Sequence, residues 1–198
     1  VHGDQELMVE LLLEVGANVG ITNRYGVSAA SLAAENGNSI ILTHLLEAGS
    51  NPEKTMPGGE TLLMTAARTG TPETVRTLLS YGANPNRRET TRGQTALMWA
   101  AANNNAAAIQ LLAEHGADID AKTDNPSRRA DSPFAYAPPT GFSPLMFAVR
   151  AGHIEATRAL LDAGADVDDT VSDGQTALVV AAANANWELG AYLLDRGA

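Results

Sequence analysis

GFSPLMFAVRAGHIEATRALLDAGADVD, residues 141–168, reads as two short helices separated by a turn. Ser143 stands where an N-cap is needed, its hydroxyl placed to accept from the first free amides of a helix. Pro144 follows at the first helical position, where its missing N–H costs nothing. Leu145, Ala148 and Val149 then recur at helical spacing, and Gly152 breaks the run. Ile154, Leu160 and Leu161 supply the apolar positions of a second helix, and Gly164 falls where a left-handed residue closes it. A pair this short cannot bury its apolar stripe alone, so the stretch predicts stacked neighbours.

The neighbours run along the whole chain. Gly26, Gly59, Gly93, Gly141 and Gly174 each stand two residues ahead of a Ser or Thr. A second series, Gly49, Gly82, Gly116, Gly164 and Gly197, follows 23 residues later in all five cases, with Gly16 as its first member. The return steps are 10, 10, 11, 25 and 10 residues. A packed helix pair cannot gain a residue without rotating its apolar stripe out of the core, whereas a surface connection lengthens at small entropic cost. The invariant blocks are therefore the packed part, and the variable steps are connections. Thr61, Thr95 and Thr176 repeat the cap of Ser143.

Together with GETLLMTAARTG (59–70) and GQTALVVAAANAN (174–186), the opening stretch resembles the ankyrin repeat, G-x-T-P-L-H-x-A-A-x-x-G-H-x-E…L-L-x-x-G-A-D-V-N, over essentially the entire chain. Met64, Met98 and Met146 replace the signature histidine, so that histidine's hydrogen bonds to neighbouring loops are absent and packing has to compensate. This TALM-type variant is more similar to bacterial members than to animal ones. The resemblance implies an all-α class: a right-handed ankyrin-repeat solenoid of helix-turn-helix units joined by β-hairpin-like loops, one continuous repeat domain over 1–198. Its units are a partial repeat, second helix only, at 1–22; repeats at 23–55, 56–89, 90–137 and 138–170; and a partial repeat at 171–198.

The 25-residue step carries an insertion of about 15 residues near 123–139, TDNPSRRADSPFAYAPP, inside the 90–137 unit. Its four prolines and lack of apolar period predict a loop projecting from the hairpin edge. Phe134 and Tyr136 either tuck back onto neighbouring hairpins or present themselves to a partner as aromatic anchors. Toward the two ends, Leu11, Leu12 and Leu193 are internal-type residues. They predict either a longer natural chain or a partner over the edges, and they raise homo-oligomers stacked through exposed terminal repeats as an alternative.

A net charge of −10 argues against general affinity for nucleic acid or anionic membrane, since both need clustered Lys and Arg. No cysteine occurs, which removes disulfides, thiolate metal sites and cysteine nucleophiles together. No apolar run reaches membrane-spanning length, and the opening VHGDQEL has the pattern of neither a signal nor a transit peptide. The basic residues are concentrated: Arg87, Arg88, Arg92, Lys122, Arg128 and Arg129 stand against Glu89, Glu114, Asp118, Asp120 and Asp124. They read as a solvated hairpin edge or as a contact for an acidic or phosphorylated partner group.

Catalytic readings find no support. His2, His44, His115 and His153 lie in different units and form no HExxH pair, and the Ser and Thr at the unit starts have no G-x-S-x-G elbow around them. DVDDTVSDG, from Asp166 to Gly174, lacks the spacing and terminal Glu of a calcium hand and reads as a hairpin turn. No cofactor or metal site is expected. His153 matches the family's loop histidine, whose role is structural.

In the ankyrin family the hairpin tips and the exposed face of each first helix form a concave surface that meets other proteins. Carried over by position, that surface includes Tyr25, Arg68, Asn103, Phe142 and Arg150. Trp99 occupies a slot that is aliphatic in Leu32 and Val180, so it either packs between neighbouring first helices or grips a partner. Phe147 fills the same slot one unit later, and the strip has the composition of an interface core. The expected function is a non-enzymatic scaffold for a protein partner. The alternatives are a self-assembling structural protein and a regulatory or targeting module of a longer chain.

Overall fold

The computed structural model describes residues 2–124 and 141–198. Among these residues lie eleven helices: α1 His2–Glu14, α2 Ala29–Glu35, α3 Ser39–Glu47, α4 Leu62–Thr69, α5 Pro72–Ser80, α6 Ala96–Ala102, α7 Ala106–Glu114, α8 Pro144–Ala151, α9 Ile154–Asp162, α10 Ala177–Ala183 and α11 Trp187–Asp195. From α2 onward they pair as antiparallel hairpins, α2 with α3 through α10 with α11. The first helices α2, α4, α6, α8 and α10 pack on one another in sequence, and the second helices α1, α3, α5, α7 and α9 do the same. The result is an all-α stack, two helices deep, in which each pair touches chiefly its neighbours.

Each first helix starts at a hydroxyl. Ser28, Thr61, Thr95, Ser143 and Thr176 sit in extended backbone and accept from the amides of Ser31, Met64, Met98, Met146 and Val179. Thr61 also donates its own amide to the Met64 sulfur at 3.4 Å. The three methionines that replace histidine are fully buried. Their thioethers fill the space between successive first helices, where alanines at Ala66, Ala100 and Ala148 allow close approach. The leucine four residues before the closing glycine, Leu45, Leu78, Leu112, Leu160 or Leu193, is buried in every second helix from α3 to α11.

Among the described residues the connections carry only isolated antiparallel bridges, Thr22 to Ser28, Thr55 to Thr61 and Thr170 to Thr176. One backbone hydrogen bond closes every connection at the same place: Asn23 N–H to Val27 O, Met56 to Glu60, Glu89 to Gln94, Thr123 to Phe142, and Val171 to Gln175, at 2.8–3.1 Å. Gly141 N–H returns to Thr123 O at 3.1 Å, and Phe142 N–H reaches Thr123 Oγ1 at 2.9 Å. The insertion therefore leaves and rejoins at the tip of an otherwise standard hairpin.

One expectation is corrected. Leu193 is sealed under α10 rather than bared at the edge, because it occupies the inward leucine position of α11; the exposed apolar residues there are Val179, Trp187 and Leu194. Leu11 and Leu12 of α1 are exposed, as their internal type predicts.

Gly70 and Gly82 separate two costs of a side chain. Both have φ near +80°, but a Cβ on Gly82 meets open space, whereas one on Gly70 collides with the Asn105 amide. That amide donates to the carbonyls of Ala67 at 2.7 Å and Arg68 at 3.0 Å, joining two units. Gly82→Ala should cost about 1 kcal/mol from backbone strain, and Gly70→Ala at least about 1 kcal/mol more as those bonds are displaced. Urea midpoints of the two variants check the difference.

Candidate functional site

The exposed side of the first helices carries two arginines laid across aromatic rings. Arg68, in the last turn of α4, places its guanidinium 5.7 Å from the centre of the Trp99 ring on α6, in the next unit. The same group lies 3.8 Å from Glu35 and 3.9 Å from Glu60, and Glu60 accepts from the Thr65 hydroxyl at 2.9 Å. At these distances and this exposure the ion pairs contribute little, so Arg68 is steered rather than locked. Trp99 is half-buried and packs against the core. Its indole Nε1 is buried without an acceptor. Asn103, the C-cap of α6, donates its amide to Trp99 O at 2.8 Å and so finishes the helix.

In the second patch Phe142 and Phe147 stack at 5.6 Å with planes tilted by 53°, and both are buried. Arg150 covers them, 4.7 Å from the Phe142 ring and 5.4 Å from the Phe147 ring, with no ion pair among the described residues. Of the predicted strip, the phenylalanines thus form a floor and Arg150 the surface. Tyr25 stands apart at a hairpin tip, exposed, with Arg24 4.7 Å over its ring. Phe134 and Tyr136 lie outside the described residues.

The basic hairpin residues join adjacent units. Arg87 pairs with Glu53 at 3.6 Å. Arg88 donates to Lys122 O at 2.6 Å, Gly93 O at 3.2 Å and Asp124 Oδ2 at 3.3 Å. Lys122 reaches Asp169 at 2.7 Å and Thr170 O at 3.1 Å. Asn86 adds two more links, donating to Gly116 O at 2.9 Å and accepting from Asp118 N–H at 2.8 Å. His153 Nε2 lies 3.2 Å from Ala102 O, on the unit before. No group of three His, Asp or Glu close enough to hold a metal occurs among the described residues.

Sequence reasoning passed over Glu89, which fills the connection with the 11-residue step. Its buried carboxylate accepts from the amides of Thr91 at 2.6 Å, Arg92 at 2.6 Å and Gln94 at 3.0 Å. Burial pushes its pKa up, but the backbone donors outweigh that and hold it below the ordinary value of 4.5. The one signal was an acid beside the single-residue lengthening.

A family model of ankyrin repeats matches three times, over residues 1–89, 30–123 and 124–198. The chain is an ankyrin-repeat protein. It is similar to human Ankyrin repeat and KH domain-containing protein 1, with 34% identity over 112 residues, 56% of this chain and 4% of that protein. The ankyrin chain therefore spans a small fraction of its relative's length. Ankyrin repeats are generally protein-protein interaction modules and typically non-enzymatic. Among the described residues no helix is long and apolar enough to cross a membrane.

Two outcomes follow for stability. Trp99→Phe removes a donor that has no partner and should leave the melting temperature within a few degrees, whereas Trp99→Ala should cost about 2 kcal/mol through lost packing. Glu89→Gln should destabilise at neutral pH. Because the folded pKa lies below the unfolded one, that deficit is fully present above pH 4.5 and shrinks as pH falls through the lower, folded value. Urea midpoints of both proteins across pH 3 to 7 read it directly, the range being set roughly by ordinary carboxylate titration.

Proposed function

We propose that this ankyrin-repeat chain is a non-enzymatic docking module that binds a protein partner across the exposed face of its first helices. The observation that carries the reading is the pair of arginines placed over aromatic rings, Arg68 on Trp99 and Arg150 on Phe142 and Phe147. Arginine and tryptophan dominate the energetic centres of interfaces, and a guanidinium already ordered on a ring loses little side-chain entropy when a partner arrives. Phe142 and Phe147 act from beneath, by fixing Arg150. Trp99 is both floor and contact, half-buried against the core with the rest of its surface open to a partner. Tyr25 extends the surface at its N-terminal side, and Phe134 and Tyr136 would extend it from the insertion. With a net charge of −10, the module favours a partner with exposed basic groups around the contact.

A second reading makes these repeats one regulatory or targeting module of a longer protein. It rests on the 4% share of the human relative that the chain spans, and reading the flanking coding sequence decides it. It is compatible with the first.

Peptides selected from a random display library against the wild-type chain test the docking surface. Arg68→Ala and Arg150→Ala should each weaken the selected binders by about tenfold, with unchanged melting temperature. Binders indifferent to both variants and to Trp99→Phe would remove the proposed surface.

A further inference from the structure

Acids are missing from one stretch of the first-helix face. Residues 90–113 and 141–154, which span α6 and α8, contain no Asp or Glu, in a chain that has 23 of the two together. Their only Lys or Arg residues are Arg92 and Arg150. The last-turn position of the first helices reads Glu35, Arg68, Ala102, Arg150 and Ala183 along the stack, so an arginine stands on either side of α6 with a half-buried alanine between them. Neither guanidinium makes a hydrogen bond among the described residues, and Arg150 has no ion pair there either. The two carboxylates near Arg68, at 3.8 and 3.9 Å, belong to Glu35 and Glu60, neither of them on α6 or α8. An arginine carries five N–H donors in a fixed fork that fits a carboxylate, and here those donors are largely unspent.

We propose that the strip from Arg68 to Arg150 receives an extended acidic segment of the partner protein, with one carboxylate on each guanidinium and a small or apolar side chain between them against Trp99. This rests on the docking face proposed above and names what that face recognises. α6 packs on both α4 and α8, so two helix steps of about 8–10 Å put the arginines roughly 16–20 Å apart. An extended chain at about 3.3 Å per residue covers that in about five or six residues. Arginines this far apart suit two single charges on one strand better than a single dianion, which needs guanidiniums that converge. Between them Ala102 leaves room for the backbone of the segment, and the lack of acids on α6 and α8 removes the nearest source of repulsion. The net charge of −10 acts on the partner as a whole and is screened beyond about 8 Å in physiological salt, so the two guanidiniums decide the contact. A partner whose acidic segment is set among basic groups satisfies both.

The sequences of peptides selected from a random display library against the wild-type chain test the inference. Binders weakened by both Arg68→Ala and Arg150→Ala should carry two Asp or Glu residues about five or six positions apart. Remade with a fluorescein label and titrated by anisotropy, each should lose about tenfold in affinity when either acid is changed to its amide. That change should cost little further in the arginine variant that already lacks the facing guanidinium. A peptide with Lys in place of the acid facing Arg150 should regain binding to Arg150→Glu. Binders that need both arginines yet carry no such pair of acids, or that tolerate the amides, overturn the inference and leave the docking face standing. A library that yields no binder sensitive to either arginine overturns both.

Discussion

The burial of one leucine per second helix under its own first helix is the contact on which the molecule depends. From α2 onward the helices are 7 to 9 residues long, well short of what holds together in water by itself. The hydroxyl caps of the first helices choose where those begin but contribute only about 1 kcal/mol each. Persistence comes from the leucine, from the buried methionines Met64, Met98 and Met146 of three first helices and from the next unit laid over the pair. Stability is therefore shared along the stack, each pair owing its helicity to the pairs on either side. The conformational demand on Gly70, and its tight fit against Asn105, is part of the same dependence, because it brings the end of one pair within hydrogen-bond reach of the next.

Local features were legible in the residues. The 23-residue blocks, the caps at Thr61, Thr95, Ser143 and Thr176 and the break at Gly152 are all set by neighbours within a few positions, and they are found as read. What was hidden depends on partners in another unit. Arg88 and Lys122 read equally well as a solvated edge or a partner contact, because the carbonyls they hold in the next unit lie 34 and 48 residues away. The burial of Phe142 and Phe147 follows from Arg150 and the neighbouring pair closing over them, which no local period announces. Leu193 lies inside rather than at a bare edge for a simpler reason: a helix turn moves a side chain from inside to outside, and the inward register of α11 is fixed only by comparison with Leu45, Leu78, Leu112 and Leu160.

Two groups of basic residues differ in what they hold. Those on the hairpins, Arg87, Arg88 and Lys122, spend their donors on adjacent connections and act as rungs between units. Those on the first helices, Arg68 and Arg150, rest on rings and keep much of their hydrogen-bonding edge toward solvent. Cohesion between units thus falls on the hairpin edge, and the first-helix face is the one we propose for recognition.

The shared hydrogen bond at the base of every connection has an engineering meaning. Thr123 and Phe142 are clasped in the manner of Asn23 and Val27, although 18 residues separate the first pair and 3 the second. A clasp of this kind holds the two ends of the connection together at the base, whatever the length threaded between its jaws. The tip of that hairpin is a natural port, where cargo can be grafted while the helices on both sides keep their register.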